Sequence, residues 1–464
     1  KASLGRAMSW AGFGDAADVL LAAAAEASGP ARAALERDAA HQLLRSGQVE
    51  RAYALLPKVV ADLGMRWPAN KAMAIAEILW NVGRAKVPFS IGRPTPPDTL
   101  RAVMELAMSL SYADQMRTAV FSTRAIVLAA SVQEPELRAV ASAMRGSNAA
   151  LLGDLDESVR YLERAWSTLP DGADEVARAS VALHEGIADV VLGRFPRAAT
   201  TLDGVVRAFE DRGGRPYELN MARNFLLYAV LQCGRIGEYR ALRNRAIEEC
   251  RLRGMKGFEV LYRTTYPLSP GLLDDDDDAQ EANLREAATP WGEATSSVWL
   301  FAQCSWVQHE LATGRIDAAA ERAERLGRVA EANGLLRITP NAIYVEICRA
   351  STAAQKASRD PAARSLLRDA VERIARIPSP MSRASSEVWR ATSLAIEGRH
   401  DEALRANERT LHALDEVPVA WHRPLVLMQR ARLRGEPDDA PAAELIAMGV
   451  RAPRRLLPLY AWAP

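Results

Sequence analysis

Six histidines are the side chains best suited to acid–base or metal chemistry near neutral pH: His41, His184, His309, His400, His412 and His422. They are scattered. His184-Glu185 and His309-Glu310 each stand in the first helix of a helix pair, near its turn. A metal or proton-transfer site needs a second, convergent cluster of ligands or acids. None is visible, so the six read as capping, polar-face or packed residues. Cys233, Cys250, Cys304 and Cys348 form no CxxC pair and lie among apolar helical neighbours, as reduced core cysteines of a cytoplasmic protein would. Asp274 to Asp278 is the sharpest charge feature. Calcium loops space their ligands and carry a turn glycine. Five consecutive aspartates cannot all face one ion, so the run reads as a solvated loop entering a helix. Arg240, Arg243, Arg245, Arg251 and Arg253 are interleaved with Glu248 and Glu249 and lack an aromatic platform for stacked bases. They read as a solvated helix face with i,i+4 pairs, and Arg451, Arg454 and Arg455 read likewise.

Nucleotide and hydrolase motifs are missing. The sequence has no Gly-Lys dipeptide and therefore no phosphate loop of the GxxxxGK type. It has no HRD, DFG, GxGxxG, GxSxG or HExxH. These observations point to a chain that makes contacts rather than one that catalyses, with no catalytic residue, cofactor or metal. The net charge of +1 gives no general pull toward nucleic acid or an anionic membrane. No apolar run reaches the length of about 18 residues that a spanning helix needs. A protein or peptide partner is the expectation, and Trp and Tyr are the residue types most concentrated at interface hot spots. Tyr217, Tyr228, Trp299, Trp306, Tyr344 and Trp389 fall in first-helix positions, which in superhelical arrays line the concave surface. They are the candidate partner-binding groove; the competing reading is packing between repeats.

The elements that position these residues form a repeat. An apolar helix end, a glycine, a polar residue and a new charged helix start recur at Gly14, Gly47, Gly153, Gly193, Gly234, Gly314 and Gly398. Gly153 to Gly193 is 40 residues, Gly193 to Gly234 is 41, and the next two intervals, 80 and 84, are double periods. The two missing turns belong near 274 and 356, with the glycine replaced, and Gly435 begins a closing unit. A glycine just past a helix end supplies the left-handed cap at little steric cost. An acidic residue in the next first turn complements the helix dipole. The helix after Gly153 carries Val159, Leu162, Trp166 and Leu169 at helical spacing, and the helix before Gly193 carries Ala182, Ile187, Val190 and Val191. Two helices and two turns fill the period, which exceeds the tetratricopeptide (TPR) repeat of about 34 residues. The expected fold is all-α: a TPR-like α-solenoid of antiparallel helix pairs with a period of about 40 residues. Such an array escapes the size limit of a single core, because each unit packs on its neighbours.

One region breaks the rhythm. From Gly64 to Leu100 the sequence predicts one helix, near Lys71 to Arg84, then a Pro-rich loop, Pro88 to Pro97, in which Pro94, Pro96 and Pro97 oppose a helix. The expected organisation is residues 1–64 as N-terminal helix pairs, 65–100 as an irregular joint, and 101–464 as the main array. The order Gly64-Met65-Arg66-Trp67-Pro68, Leu79-Trp80, Leu100-Arg101, Leu110-Ser111, Asp114 to Ala119 and Phe121 to Arg124 resembles the C-terminal helical region of large bacterial serine/threonine protein kinases. In that family a kinase domain is followed by an AAA/STAND-type NTPase module and a long TPR-like tail. The matching residues, from about 40 to 135, are structural. The resemblance implies a regulatory tail that senses or docks partners, among them the attached catalytic domains, which would lie ahead of Lys1. A start at Lys1 rather than Met is what a piece of a longer protein would show. The alternative is the ligand-sensing repeat domain of a large NTPase-type transcription activator, against which stands the ending MGVRAPRRLLPLYAWAP, without a helix-turn-helix unit.

Overall fold

The computed structural model describes residues 1–85, 95–213, 215–264, 268–288 and 296–461. Among these residues there is no strand, and consecutive helices pack on each other along the chain. In the regular part the first helices are Pro135–Leu151, Glu175–Val191, Pro216–Gln232, Ser297–Ala312, Thr339–Ala357 and Pro380–Ile396. Their partners are Leu155–Thr168, Phe195–Arg212, Ile236–Arg253, Ile316–Ala332, Ala363–Ala375 and His400–Glu416. The fold is an all-α, TPR-like solenoid.

Local chemistry sets the helix ends. Asp154 accepts the Glu157 N–H at 3.0 Å, satisfying one of the free donors of the helix that follows. Gly153, Gly193, Gly234, Gly314 and Gly398 leave the preceding helices at φ between 73° and 83°. At the missing turn near 274 the left-handed cap is made by Asp275, at φ 56°, the one non-glycine residue with positive φ among those described. At the other missing turn one helix ends at Ala357 and the next begins at Ala363. Two details depart from expectation. The left-handed glycine of the first turn is Gly12, at φ 82°, rather than Gly14, whose N–H donates to the Arg253 carbonyl at 2.6 Å because another part of the array lies against it. The first helix of the unit around 256–288 is split into Lys256–Arg263 and Pro270–Asp274, with a proline opening the second piece.

The predicted helix near Lys71 to Arg84 is Lys71–Ala85. The loop residues Pro88 to Pro94 lie outside the described residues. Pro97 opens the helix Pro97–Leu110 instead of opposing it, since a first-turn position needs no N–H.

Packing within a pair uses small residues. Gly146 and Gly186, one period apart, lie so close to Leu162 and Leu202 that an added Cβ would sit 2.8 Å and 2.6 Å from the two leucine side chains. The buried stripe of Leu155–Thr168 is therefore Ser158, Leu162 and Ala165, continued by Leu169. Val159 and Trp166, read as core from their spacing, are each 37% exposed, and the Trp166 indole N–H donates to Glu185 at 3.0 Å.

The array winds tightly enough for successive turns of the superhelix to touch. Gln115 bonds Ser297, Ser296 bonds the Tyr112 carbonyl, Trp421 bonds Gln232, and Arg240 bonds the Gly449 carbonyl, across separations of 182, 184, 189 and 209 residues. At one period of about 40 residues per unit, a turn of the superhelix takes about five units. The largest buried apolar cluster runs from Ala179 to Ala461, and a second from Ala17 to Met144 spans both sides of the irregular stretch.

Candidate functional site

The first helices present one face to the superhelix interior. Met144, Ser147, Asn148 and Leu151 repeat at i, i+3, i+4 and i+7. One period later stand His184, Ile187, Val190 and Val191, and one more period on Met221, Asn224, Phe225 and Tyr228. Because side chains three, four and seven apart share a helix face, three consecutive units build a continuous wall. Gln115, Thr118 and Ser122 extend it at one end. The next turn of the superhelix closes over it with Thr339 to Asn341, Ile343, Tyr344, Ser379 and Met381. Between them lies a partly open cavity of about 160 Å³ at the junction of two superhelical turns.

Its polar groups are mostly tied to protein. The Tyr344 hydroxyl donates to Tyr228, whose own hydroxyl lies 3.7 Å from the Met381 sulfur. Burial pushes the Tyr228 phenol up to about 12 and the Tyr344 phenol further, so both are protonated. His184 Nδ1 is 2.9 Å from the Ser147 hydroxyl, and burial lowers its pKa to about 4, which makes the ring neutral at pH 7. Asn341 donates to Ser297 at 3.2 Å and Asn224 to the Tyr112 hydroxyl at 3.2 Å. The Ser122 hydroxyl, 4% exposed as a residue, is the exception: it is buried without a hydrogen-bond partner. Among the described residues no Asp, Glu, Lys or Arg lines the cavity, and no group of three His, Cys, Asp or Glu residues is placed to hold a metal. Among the described residues the lining is thus apolar and uncharged, with a few hydrogen-bonded polar side chains.

No protein-family model matches the chain, and none of the curated proteins matches it. Among solved structures it is similar to one described as "Crystal Structure of Rap Protein Complexed with Competence and Sporulation Factor". The identity is 12%, the match covers 89% of this chain and 99% of that one, and the TM-score is 0.45. A likeness of that degree says nothing about ligand or partner.

The structure places the six aromatic groove candidates unequally. Tyr228 and Tyr344 line the cavity. Tyr217 is buried beside it, its hydroxyl 2.9 Å from that of Ser111, a lining residue. Trp299 and Trp389 are buried between helices, and Trp306 is half-buried under Arg322, whose guanidinium lies 5.2 Å from the ring. The spacing argument placed all six on first helices but could not say which way each faces. His184 carries a weaker sequence signal, recovered only by aligning first-helix faces at the 40-residue period, and Ser122, which falls outside that alignment, carries none.

Several of the charge features are solvent-exposed, as their composition implied, and also pair with one another. Arg455 reaches across the superhelix to Asp275 and Asp277, Arg240 pairs with Asp274 at 2.6 Å, and the Arg451 N–H donates to the Leu273 carbonyl at 3.1 Å. Arg454 bonds Asp438 and, with Arg432, holds that carboxyl below its usual range. Arg243 is buried beside Tyr239, whereas Arg245 makes the expected i,i+4 pair with Glu249 at 3.0 Å. The acidic run is thus the receptor of the chain's own C-terminal segment. Arg455→Ala will loosen that segment by about 1 kcal/mol at low salt and by less at high salt, because its partners are half-exposed. Amide exchange of residues 451–461 at the two ionic strengths measures this; protection unchanged by the substitution would refute it.

The other histidines lie away from the cavity lining. His41 bonds Ser109, His309 bonds Glu281, His422 stacks on Trp421, and His400 and His412 are exposed. Cys250, Cys304 and Cys348 are buried and Cys233 is half-buried, and none is in a disulfide.

Proposed function

We propose that this chain is a non-catalytic sensor and scaffold: a helical-repeat regulatory region in which a ligand held at the contact between superhelical turns sets how tightly the array is wound. The observation that carries this reading is the cavity lined from both turns. A molecule bound there touches the Met144 to Tyr228 wall and the Thr339 to Met381 roof together. It has differential contacts with the closed and the opened array, which is the requirement for shifting between them. Tyr228 and Tyr344, joined across the cavity, are the site residues of this reading, with Tyr217 beside them. Trp299, Trp306 and Trp389 serve packing in it. The output partner is a protein or peptide, including attached kinase and NTPase domains of a bacterial signalling protein, as the resemblance around Gly64 to Arg124 implies. The cavity fits equally the second parent, a ligand-sensing region of an NTPase-type transcription activator.

The test begins with the coding sequence ahead of Lys1. A kinase domain followed by a nucleotide-binding module supports the first parent. Leu151→Trp, which places a large side chain at the half-buried rim of the cavity, is then introduced into the full-length protein. A severalfold change in its kinase or ATPase activity is the expected result; activity equal to that of the parent protein would refute the sensing role.

A further inference from the structure

The cavity has a chemical character that narrows its ligand. Its lining holds no charged side chain among the described residues, and His184, the one titratable group near neutral pH, is kept uncharged by burial. An ion moved into such a space loses its hydration and gains no counter-charge, so a charged ligand is strongly disfavoured. The size is equally restrictive. The cavity of about 160 Å³, although partly open, is close to the apolar cavity of about 150 Å³ that accommodates benzene in another protein, so one ring or a compact branched skeleton fills it.

One polar atom is left over. Thr118 and Ser147, neighbours of Ser122 in the lining, spend their hydroxyls on carbonyls of their own helices, at 2.9 Å to Asp114 and 3.0 Å to Met144. The Ser122 hydroxyl has no such bond: its residue lines the cavity, its Oγ is buried just behind the cavity wall, and rotation about the Cα–Cβ bond is the movement that brings it to a ligand. Buried polar groups are nearly always paired, and an oxygen of a bound molecule would supply the missing partner.

We propose, building on the sensing reading above, that the cavity binds an uncharged, ring-sized, mainly apolar molecule carrying one hydrogen-bonding oxygen, which pairs with Ser122. Calorimetric titration of this chain with 4-methylphenol, toluene and 4-methylbenzoate tests it. These probes share a skeleton and differ in polarity and charge. The phenol binds about fivefold more tightly than toluene, the value of one added neutral hydrogen bond, and the benzoate does not bind. Leu151→Trp removes binding of both neutral probes. Ser122→Ala, a smaller change that keeps the helix, brings phenol and toluene to equal affinity. Benzoate binding as tightly as the phenol, equal affinities of phenol and toluene for the unsubstituted chain, or no heat with any probe would each overturn the proposal. The two readings fail separately. If the probes follow the expected pattern while full-length activity is indifferent to Leu151→Trp, the ligand class stands and the sensing role falls.

Discussion

Gly153→Ala and Gly193→Ala will each destabilise the chain by about 3 kcal/mol, while Gly314→Ala and Gly398→Ala will each lose only about 1 kcal/mol. All four glycines have the same left-handed backbone, at φ 83°, 73°, 77° and 75°. They differ in what lies beside them. A Cβ on Gly153 would sit 2.5 Å from the Pro378 ring and 3.3 Å from the Thr339 hydroxyl, and one on Gly193 would sit 2.6 Å from a Val417 methyl. Among the described residues, nothing beyond the chain neighbours lies within 4 Å of a Cβ placed on Gly314 or Gly398. The open pair therefore reports only the steric cost of an L-residue in this conformation. The other pair adds the cost of pushing apart two turns of the superhelix at places where a proline ring and a β-branched side chain cannot rotate away. Thermal unfolding of the four variants measures the difference. Equal losses in all four would mean that the turns are not packed on each other in solution.

Acid will destabilise the chain from about pH 6.5 downward through its buried histidines. Burial lowers the pKa of His184 and of His422 to about 4, and that of His41 well below its ordinary value. An unfolded histidine titrates near 6.5. Between about 6.5 and 4 the unfolded chain therefore binds protons that the folded chain refuses, and stability falls as the pH is lowered through that window. At about 1.4 kcal/mol per unit, His184 and His422 each withdraw up to about 3 kcal/mol by pH 4. His422 is wedged between Trp421, at a ring distance of 5.1 Å, and Tyr460, at 6.4 Å, and burial is the largest cause of its lowered pKa. Unfolding midpoints should drop steeply from pH 7 to pH 5, and His422→Gln should flatten the slope. Midpoints that do not move over this range would contradict the assignment of neutral buried rings.

Much of the local architecture was legible from residue types. The glycine turns one period apart mark helix ends because only the left-handed cap closes the preceding helix there. The turn near 274 was readable without its glycine, since aspartate is among the few residues that tolerate the conformation Asp275 adopts. The helix at Lys71–Ala85 followed from its apolar spacing and the prolines beyond it. Other readings failed for one reason: they needed to know what comes from far along the chain. Trp166 and Val159 have core-like spacing, yet the close approach at Gly146 rotates the buried stripe onto Ser158, Leu162 and Ala165. The acidic run and the terminal arginines read as solvated and are largely exposed, yet Arg455 also reaches Asp275 and Asp277 across the superhelix, which spacing could not show.

The site shows the same division. That Tyr228 and Tyr344 stand on first helices is written in the 40-residue period. That their hydroxyls meet, 116 residues apart, is not. Composition and motifs by themselves determined that this is a helical-repeat chain lacking recognisable catalytic motifs. The tertiary structure alone decided that the array closes on itself, which aromatic residues face the interior, and that the remaining space is small and uncharged. The physical reason is accumulation: the winding is the sum of small rotations at each helix contact. No short stretch of sequence specifies that sum, and contacts between distant units exist only once it has been reached.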